Sequence, residues 1–312
     1  SLVKENLAAA FAETDIYITN NIAAKVGARA ELSSMLQKFN LAPRVSVAYK
    51  LNAVSQASVA YGIFYQSPES RYLPTTVALT YAKAIHYIAQ YQVLANDRTF
   101  RAEVYYKKYE NLLKTTRAGS GDVAANNNGY GNAKGFEIFW RDKKTIKNFD
   151  YWISYSYLDT KRDYLNFPAA FAPSFAAKHT TSLVVKKFVT KLKTQFNGSY
   201  TYATGRPYYN IRYNNATSKF AIYDQGKTKA YSSASFSVNY LPNVFKQGAG
   251  KFTVLVLSVT NVFGSNQVYG YNYSYNGYRK EAIVPPSKRF IFLGAFINFG
   301  VDRTQDVINS NL

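Results

Sequence analysis

Two stretches of this 312-residue chain concentrate side chains able to hold an anion. Arg206, Tyr208, Tyr209, Arg212 and Tyr213 form the first; Tyr271, Tyr273, Tyr275, Tyr278 and Arg279 form the second. Arginine offers forked N–H donors to carboxylate or phosphate, and tyrosine adds rigid amphipathic area at little entropy cost. A metal chelate or a peptide suits such clusters. The tyrosines fit an aromatic girdle at a membrane interface equally well. The expected ligand-binding residues are Arg206, Tyr208, Tyr209, Arg212, Tyr213, Tyr275, Tyr278 and Arg279. Catalytic signals are poor. His86 and His179 are the two histidines, far apart and without nucleophile or metal-ligand spacing around them, and there is no cysteine. No enzyme activity, cofactor or metal site is expected. His86 reads as a hydrogen-bonded wall residue.

The elements that must position these clusters are strands. Residues 81–112 read as a long β-hairpin turning at Ala95-Asn96-Asp97. Phe100, Ala102, Val104 and Tyr106 share one face; Arg101, Glu103, Tyr105 and Lys107 share the other. Alternation also marks 22–33, 43–51, 55–66, 150–159, 179–188, 191–204, 231–241 and 289–299. A weaker first strand covers 4–19, and a short one covers 135–141. Residues 251–274 read as one long strand bulged near Gly264. That makes thirteen strands, or fourteen if the last long one divides. Gly27, Gly62, Gly135, Gly198 and Gly294 fall inside strands, where they permit bending and close packing.

Long strands with one apolar and one polar face suit a membrane barrel, apolar side to lipid and polar side to a watery lumen. No run of 18 apolar residues exists, which excludes transmembrane helices but not a barrel. The 29 Tyr and 21 Phe against two Trp and one Met fit β structure and interfacial rings. An aromatic β-sandwich is the competing reading. Zero cysteine suits passage through an oxidising periplasm. The start, Ser1-Leu2-Val3-Lys4, is not a signal peptide and reads as a mature or cut end. The net charge of +20 is spread among strand residues, not gathered on a helix, and no nucleic-acid motif accompanies it. Contact with lipid phosphates, or attraction of an anionic solute to the lumen, accounts for it.

Connector lengths separate barrel from sandwich. Short connectors are expected after Thr19, Leu51, Leu94, Arg141, Phe188 and Leu241, and longer ones after Ser33, Gln66, Leu112, Asp159, Thr204 and Ser274. Residues 115–131, 161–175, 205–229 and 276–287 read as loops, with Asn126–Asn128 a polar loop or a carbohydrate contact. Alternating short and long connections are the rhythm of periplasmic turns and outer loops. Lys186, Lys187, Lys191 and Lys193 then solvate the periplasmic rim. An odd strand number makes the chain begin outside and look like the C-terminal part of a larger barrel.

Several stretches resemble the C-terminal half of TonB-dependent outer-membrane receptors, especially those of Bacteroidetes. They are Leu41-Ala42-Pro43-Arg44-Val45-Ser46, Tyr61-Gly62-Ile63-Phe64-Tyr65-Gln66-Ser67-Pro68, Lys83-Ala84-Ile85-His86-Tyr87 and the run from Asn96 to Tyr109. Gly135-Phe136-Glu137, Gly205-Arg206-Pro207, Val259-Thr260-Asn261-Val262-Phe263 and the closing strand to Phe299 follow in the family's order. The resemblance implies an all-β, antiparallel transmembrane β-barrel, part of a 22-stranded barrel. Residues 1–300 would be its C-terminal part and 301–312 a polar tail. It implies a multi-pass barrel in a Gram-negative outer membrane, with lipid and lipopolysaccharide around it. The missing partners would be the N-terminal strands, the plug and, through them, the TonB complex. The implied function is import of a scarce nutrient such as a ferric siderophore, as a small anionic solute or peptide, with no nucleic acid. A passive pore, a surface-binding barrel and a soluble β-rich adhesin or lectin are the alternatives. The solute, the oligomeric state and whether the chain is a fragment or a smaller complete barrel stay open.

Overall fold

The computed structural model describes residues 5–73, 78–119, 121–246, 251–275, 277 and 279–300. Among them the chain is β throughout, with two single turns of 3-10 helix at Ser70–Tyr72 and Thr190–Leu192. The strands are β1 (Leu7–Tyr17), β2 (Ile22–Ser33), β3 (Lys38–Lys50), β4 (Ser55–Gln66), β5 (Ala82–Ala95), β6 (Arg98–Ala118), β7 (Gly121–Asp142), β8 (Phe149–Asp163), β9 (His179–Val189), β10 (Thr194–Ala203), β11 (Pro207–Asn214), β12 (Lys219–Lys227), β13 (Tyr231–Tyr240), β14 (Lys251–Thr260), β15 (Gly270–Tyr273), β16 (Lys280–Ile283) and β17 (Phe290–Phe299). Thirteen form one sheet in the order β1-β2-β3-β4-β5-β6-β7-β8-β9-β10-β13-β14-β17, every ladder antiparallel. The expected thirteen-strand count therefore matches. β1 and β17 each have one neighbour, and the sheet is not closed between them.

Register turns the alternation of each strand into continuous faces. Val47, Val59, Ala89, Val104 and Phe136 lie in one row across β3 to β7. The apolar row continues through Tyr157 on β8. Arg44, Gly62, His86 and Lys107 form a row of opposite parity. The two-residue turn between β5 and β6 has Asn96 and Asp97 both at positive φ, 49° and 59°. That backbone twist matches the twist of the flanking strands.

One end of the sheet carries mostly tight connections, at 18–21, 51–54, 96–97, 143–148 and 190–193. The other carries 67–81, 164–178, 204–230 and 261–289. The alternation of short and long connectors holds, with two differences. The connection at 34–37 is only a turn. Residues 115–131, expected as a loop, instead prolong β6 and β7 into a hairpin of 21- and 22-residue strands. Their ladder shifts register between Tyr109 and Thr115, which absorbs the Asn- and Gly-rich sequence that hides the alternation.

Three further strand expectations are corrected. β3 begins at Lys38, five residues before Pro43. Pro43 pairs with Ala28 of β2, while the β3–β4 ladder stops at Arg44, so the missing proline N–H costs no central bond. The first strand is β1, shorter than 4–19 at both ends. Residues 251–274 are not one strand: β14 ends at Thr260, and Asn261 breaks it with φ 52°. The buried Asn261 side chain donates to the carbonyls of Ser265 (2.9 Å) and Lys288 (2.7 Å) and accepts from the Ser265 N–H (3.1 Å). Residues 301–312, expected as a tail, lie outside the described residues.

Two small cores secure the ends. At the long-loop end Leu36, Tyr72, Leu73, Leu79, Tyr81 and Ala124 cluster under the extended β6–β7 hairpin. Asn127, in β7, locks that cluster: its Oδ1 accepts from the Thr80 N–H (3.0 Å), and its amide donates to the carbonyls of Thr80 (3.3 Å) and Asn111 (3.1 Å). At the short-turn end Phe188, Leu241, Val244 and Phe252 pack together. There the Asp142 carboxylate, 3% exposed, accepts from Thr145 Oγ1 (2.5 Å), the N–H groups of Lys144 (2.7 Å) and Thr145 (2.9 Å), and Arg98 Nε (3.0 Å). These bonds, the Thr145 hydroxyl first, hold the carboxyl well below the usual carboxylate range.

Candidate ligand site at the long-loop end

The segment 205–229, expected as a loop, folds into the hairpin β11–β12, and 270–283 into the hairpin β15–β16. Neither joins the large sheet. One face of β11–β12 is apolar, with Tyr209, Ile211 and Tyr213 beside Ile222 and Phe220; the other face is polar and turned to β15–β16. The two hairpins are held against each other by polar and ring contacts. Period-2 geometry puts Tyr208, Asn210 and Arg212 on one face of β11, with Asp224 opposite Asn210 on β12. Tyr271 and Tyr273 share a face of β15, with Lys280 opposite Tyr273 on β16.

Lys280 is the clasp. Its ammonium lies 3.9 Å from the centre of the Tyr208 ring and 4.5 Å from that of Tyr271. It donates to Tyr208 Oη at 2.5 Å and to Asp224 Oδ2 at 2.9 Å. Tyr273 donates to the same carboxylate oxygen at 2.6 Å. The Tyr273 hydroxyl and Lys280 hold the Asp224 carboxyl below its usual range. Burial, then the bond to Asp224, pushes the Tyr273 phenol up to about 12. The Tyr208 bond leads the rise in the Lys280 ammonium. Gly226 leaves the room Tyr208 needs: a Cβ there would sit 2.6 Å from the Tyr208 hydroxyl oxygen.

The expected site residues divide accordingly. Tyr208 and Arg212 are brought together with the second cluster. Arg212 donates to Asn210 Oδ1 (3.2 Å) and the Ser274 carbonyl (2.8 Å), so it braces the hairpins. Gly277, at φ 79°, turns β15 into β16 directly beside the Arg212 guanidinium. Tyr209 points elsewhere. It donates to the Ala172 carbonyl (2.9 Å) and packs on Phe167 and Phe171, tying β11 to residues 164–178. Tyr213 packs edge-on across its hairpin against Phe220. Arg206, half-buried, and Arg279, exposed, hold no ion pair or side-chain hydrogen bond among the described residues. Tyr275 is fully exposed. Tyr278 lies outside the described residues.

Beside this assembly a cavity of about 400 Å³ opens between the 164–178 connection and β11–β12, lined by Asp159, Lys178, Tyr209, Gln225 and Lys227 among others. Asp224, Lys280, Lys178 and Lys227 were not expected as site residues. The signal for the first two was the hairpin pairing of a Tyr-rich strand with a charged one, legible only once both loops are read as strands. His86 stacks on Phe64 (4.6 Å) on the polar face, and His179 Nδ1 pairs with Tyr155 Oη (2.8 Å). Among the described residues, neither has an acid, base and nucleophile arranged around it.

The family model described as TonB dependent receptor-like, beta-barrel matches residues 2–262. No curated protein sequence matches. Among solved structures, the outer membrane transporter YddB of Escherichia coli is similar with a TM-score of 0.70 and 15% identity, over 93% of this chain and 45% of that one. The ferripyoverdine receptor of the outer membrane of Pseudomonas aeruginosa follows with a TM-score of 0.69 and 13% identity, over 94% and 39%. The FrpB iron transporter of Neisseria meningitidis gives 0.68 and 13%, over 94% and 44%. The chain thus spans less than half the length of each. At such identities the structures speak for the fold, and the family match speaks for the rest: receptors and transporters, not enzymes. The chain belongs to the TonB-dependent receptor-like β-barrel family of the Gram-negative outer membrane.

Proposed function

We propose that the chain forms part of the barrel wall and outer loops of a TonB-dependent importer of a scarce nutrient, a ferric siderophore or another anionic chelate. The observation that supports this reading is the family match over residues 2–262, on a sheet whose long loops carry Arg and Tyr side chains already ordered. Relatives of the same fold are named for ferripyoverdine and for iron. Remaining strands would close the sheet between β1 and β17 in a barrel of 22, and a plug would link it to the TonB complex. Residues 1–300 are barrel on this reading.

Capture rests on groups not already spent. Arg206 and Arg279 keep their guanidinium donors for the solute. Tyr275, Tyr278, Tyr209 and Tyr213 add ring surface, and Tyr208 and Arg212 hold the two hairpins in place beneath it. The experiment is binding of a panel of ferric chelates to cells carrying the full-length protein. Arg206→Ala with Arg279→Ala should weaken binding by about tenfold or more, as expected for two charge-assisted bonds, and leave the barrel folded. A cysteine at Asn214 should be labelled from outside intact cells and one at Asn96 should not. The reverse labelling pattern would refute the orientation, and unchanged binding of every chelate would refute the site.

A further inference from the structure

On the lumen face of β3 to β8, three cations lie against rings instead of carboxylates. Arg44 is 4.6 Å from the centre of the Phe64 ring, Lys107 is 4.9 Å from that of Tyr105, and Arg162 is 4.2 Å from that of Tyr109. Phe175, from the 164–178 connection, stands 5.4 Å from Arg162. Among the described residues none of the three cations has an ion pair or a side-chain hydrogen bond, and Arg162 Nε is buried without a partner. The lumen carboxylates Glu103 and Glu137 face each other deeper in the wall. Glu13 and Asp15 are both held by Lys25, at 3.0 and 3.3 Å.

The register joins these pairs into one belt. Phe64, Ala84, Tyr109, Gly131 and Arg162 form a row, and Arg44, Gly62, His86 and Lys107 form the next row toward the short-turn end. Glycines give the flat side chains room. A Cβ at Gly62 would sit 3.0 Å from the Phe64 ring, one at Gly131 2.8 Å from Arg162 Cγ, and one at Gly135 2.6 Å from the Tyr105 hydroxyl oxygen. Phe64 and Tyr109 stand two strands apart, about 10 Å, with Ala84 between them. The belt lies at the level of Lys108, where the outward face of β6 turns charged, so it lines the outer part of the lumen beneath the long loops.

We propose that this belt selects a polyanionic chelate built from aromatic groups, the charge type of a ferric tris-catecholate. This rests on the import reading above and names the substrate class within it. A guanidinium laid on a ring keeps its in-plane N–H donors free for an anion. A tris-catecholate complex carries its negative charge on rings, so one molecule meets both halves of each pair. A ferric trihydroxamate is neutral and would strip water from the three cations without pairing them, which counts against it. A citrate chelate has charge but nothing to lay on Phe64, Tyr105 or Tyr109. The gap over Ala84 leaves room for one compact chelate between the Arg44–Phe64 and Arg162–Tyr109 pairs.

The test is calorimetric titration of the full-length protein in detergent with three ferric chelates: a hexadentate catecholamide, a trihydroxamate and citrate. The catecholamide chelate should bind about tenfold or more tightly than the other two, as expected for charge-assisted bonds that they cannot match. Arg44→Gln with Arg162→Gln should remove that preference. Phe64→Leu with Tyr109→Leu, which keeps every charge, should weaken the catecholamide chelate about several-fold and leave the citrate chelate unchanged, since only the first stacks on rings. Heat-modifiable migration checks that each variant is folded, and either pair alone tests the belt. Tighter binding of the trihydroxamate or citrate chelate would overturn this inference and leave the import reading standing. So would a folded variant of either pair that binds the catecholamide chelate as the parent does. Binding of none of the three chelates, nor of any in the wider panel, would overturn both.

Discussion

Val104 and Glu103 are neighbours in sequence and should respond oppositely to the same substitution. Val104 is 56% exposed on the apolar face, between Ala89 of β5 and Phe136 of β7. On β6 this face bears charge at Arg98 and again at Lys108, ten residues on. Ten residues advance about 34 Å along a strand, or about 26 Å along the membrane normal at a usual tilt, close to the height of a barrel's apolar band. Val104 sits near the middle of that span, where Arg costs roughly 2–4 kcal/mol. Glu103 is on the lumen face, directly opposite Gln90 and Glu137. Glu103→Arg replaces a like-charged cross-strand pair with an opposite-charged one, a change in the stabilising direction by roughly 0.2–1 kcal/mol. Urea titration of the full-length protein in lipid vesicles, read by heat-modifiable migration and tryptophan emission, measures both. A harmless Val104→Arg beside a destabilising Glu103→Arg would invert the assignment of faces and refute the reasoning.

The Lys280 clasp should hold in a window of pH. Asp224 has a lowered folded pKa, so its contribution is present above about 4 and lost as pH falls through that lower value. Lys280 has a raised one, so its contribution is complete below about 10 and lost as pH rises through the higher value. Hydrogen exchange of β15–β16 should accelerate outside the window and, in Lys280→Ala, within it as well. Gly226→Val should displace the Tyr208 ring and accelerate exchange at β15–β16 while leaving β9–β10 unchanged. Asp142 follows the acid sign: its contribution is complete above about 4 and declines below it, and its bonds to Lys144 and Thr145 should persist until pH falls through its far lower folded value, whereas Asp142→Ala should expose those two amides at neutral pH. Asn127→Ala removes three hydrogen bonds and should lower the opening free energy of the 78–81 segment by roughly 1–3 kcal/mol, measured by amide exchange.

Strand alternation was legible wherever one face meets an apolar environment. β2 and β4 run over the expected residues, because Ala24, Val26 and Ala28, or Val59, Tyr61 and Ile63, must share a side. The signal fails where strands are short and stand apart from the main sheet. β11, β12, β15 and β16 pair only within their own hairpins, and the tyrosines on both faces of β11, Tyr208 and Tyr209, blur its alternation. It also misleads where an apolar run outlasts its strand: Val262 and Phe263 continue the rhythm of β14, but the cap made by Asn261 ends the ladder. Of the site, the Arg and Tyr composition was visible. Which arginines brace and which stay uncommitted depends on Asp224 and Lys280, 56 residues apart in sequence and joined only by the packing of two loops.

Every ladder in the large sheet joins strands adjacent in the chain, or adjacent once the outer hairpins are skipped. Such a meander has low contact order for a β protein: each new strand closes only the short loop behind it. Assembly can proceed as a zipper, one hairpin laid against the last, with no long crossover to wait for. The same arrangement makes the hairpin the unit of change. A pair of strands can be gained or lost while all others keep their partners, and both flanking ends stay on the same side of the membrane. A single strand cannot, since everything beyond it would be turned inside out.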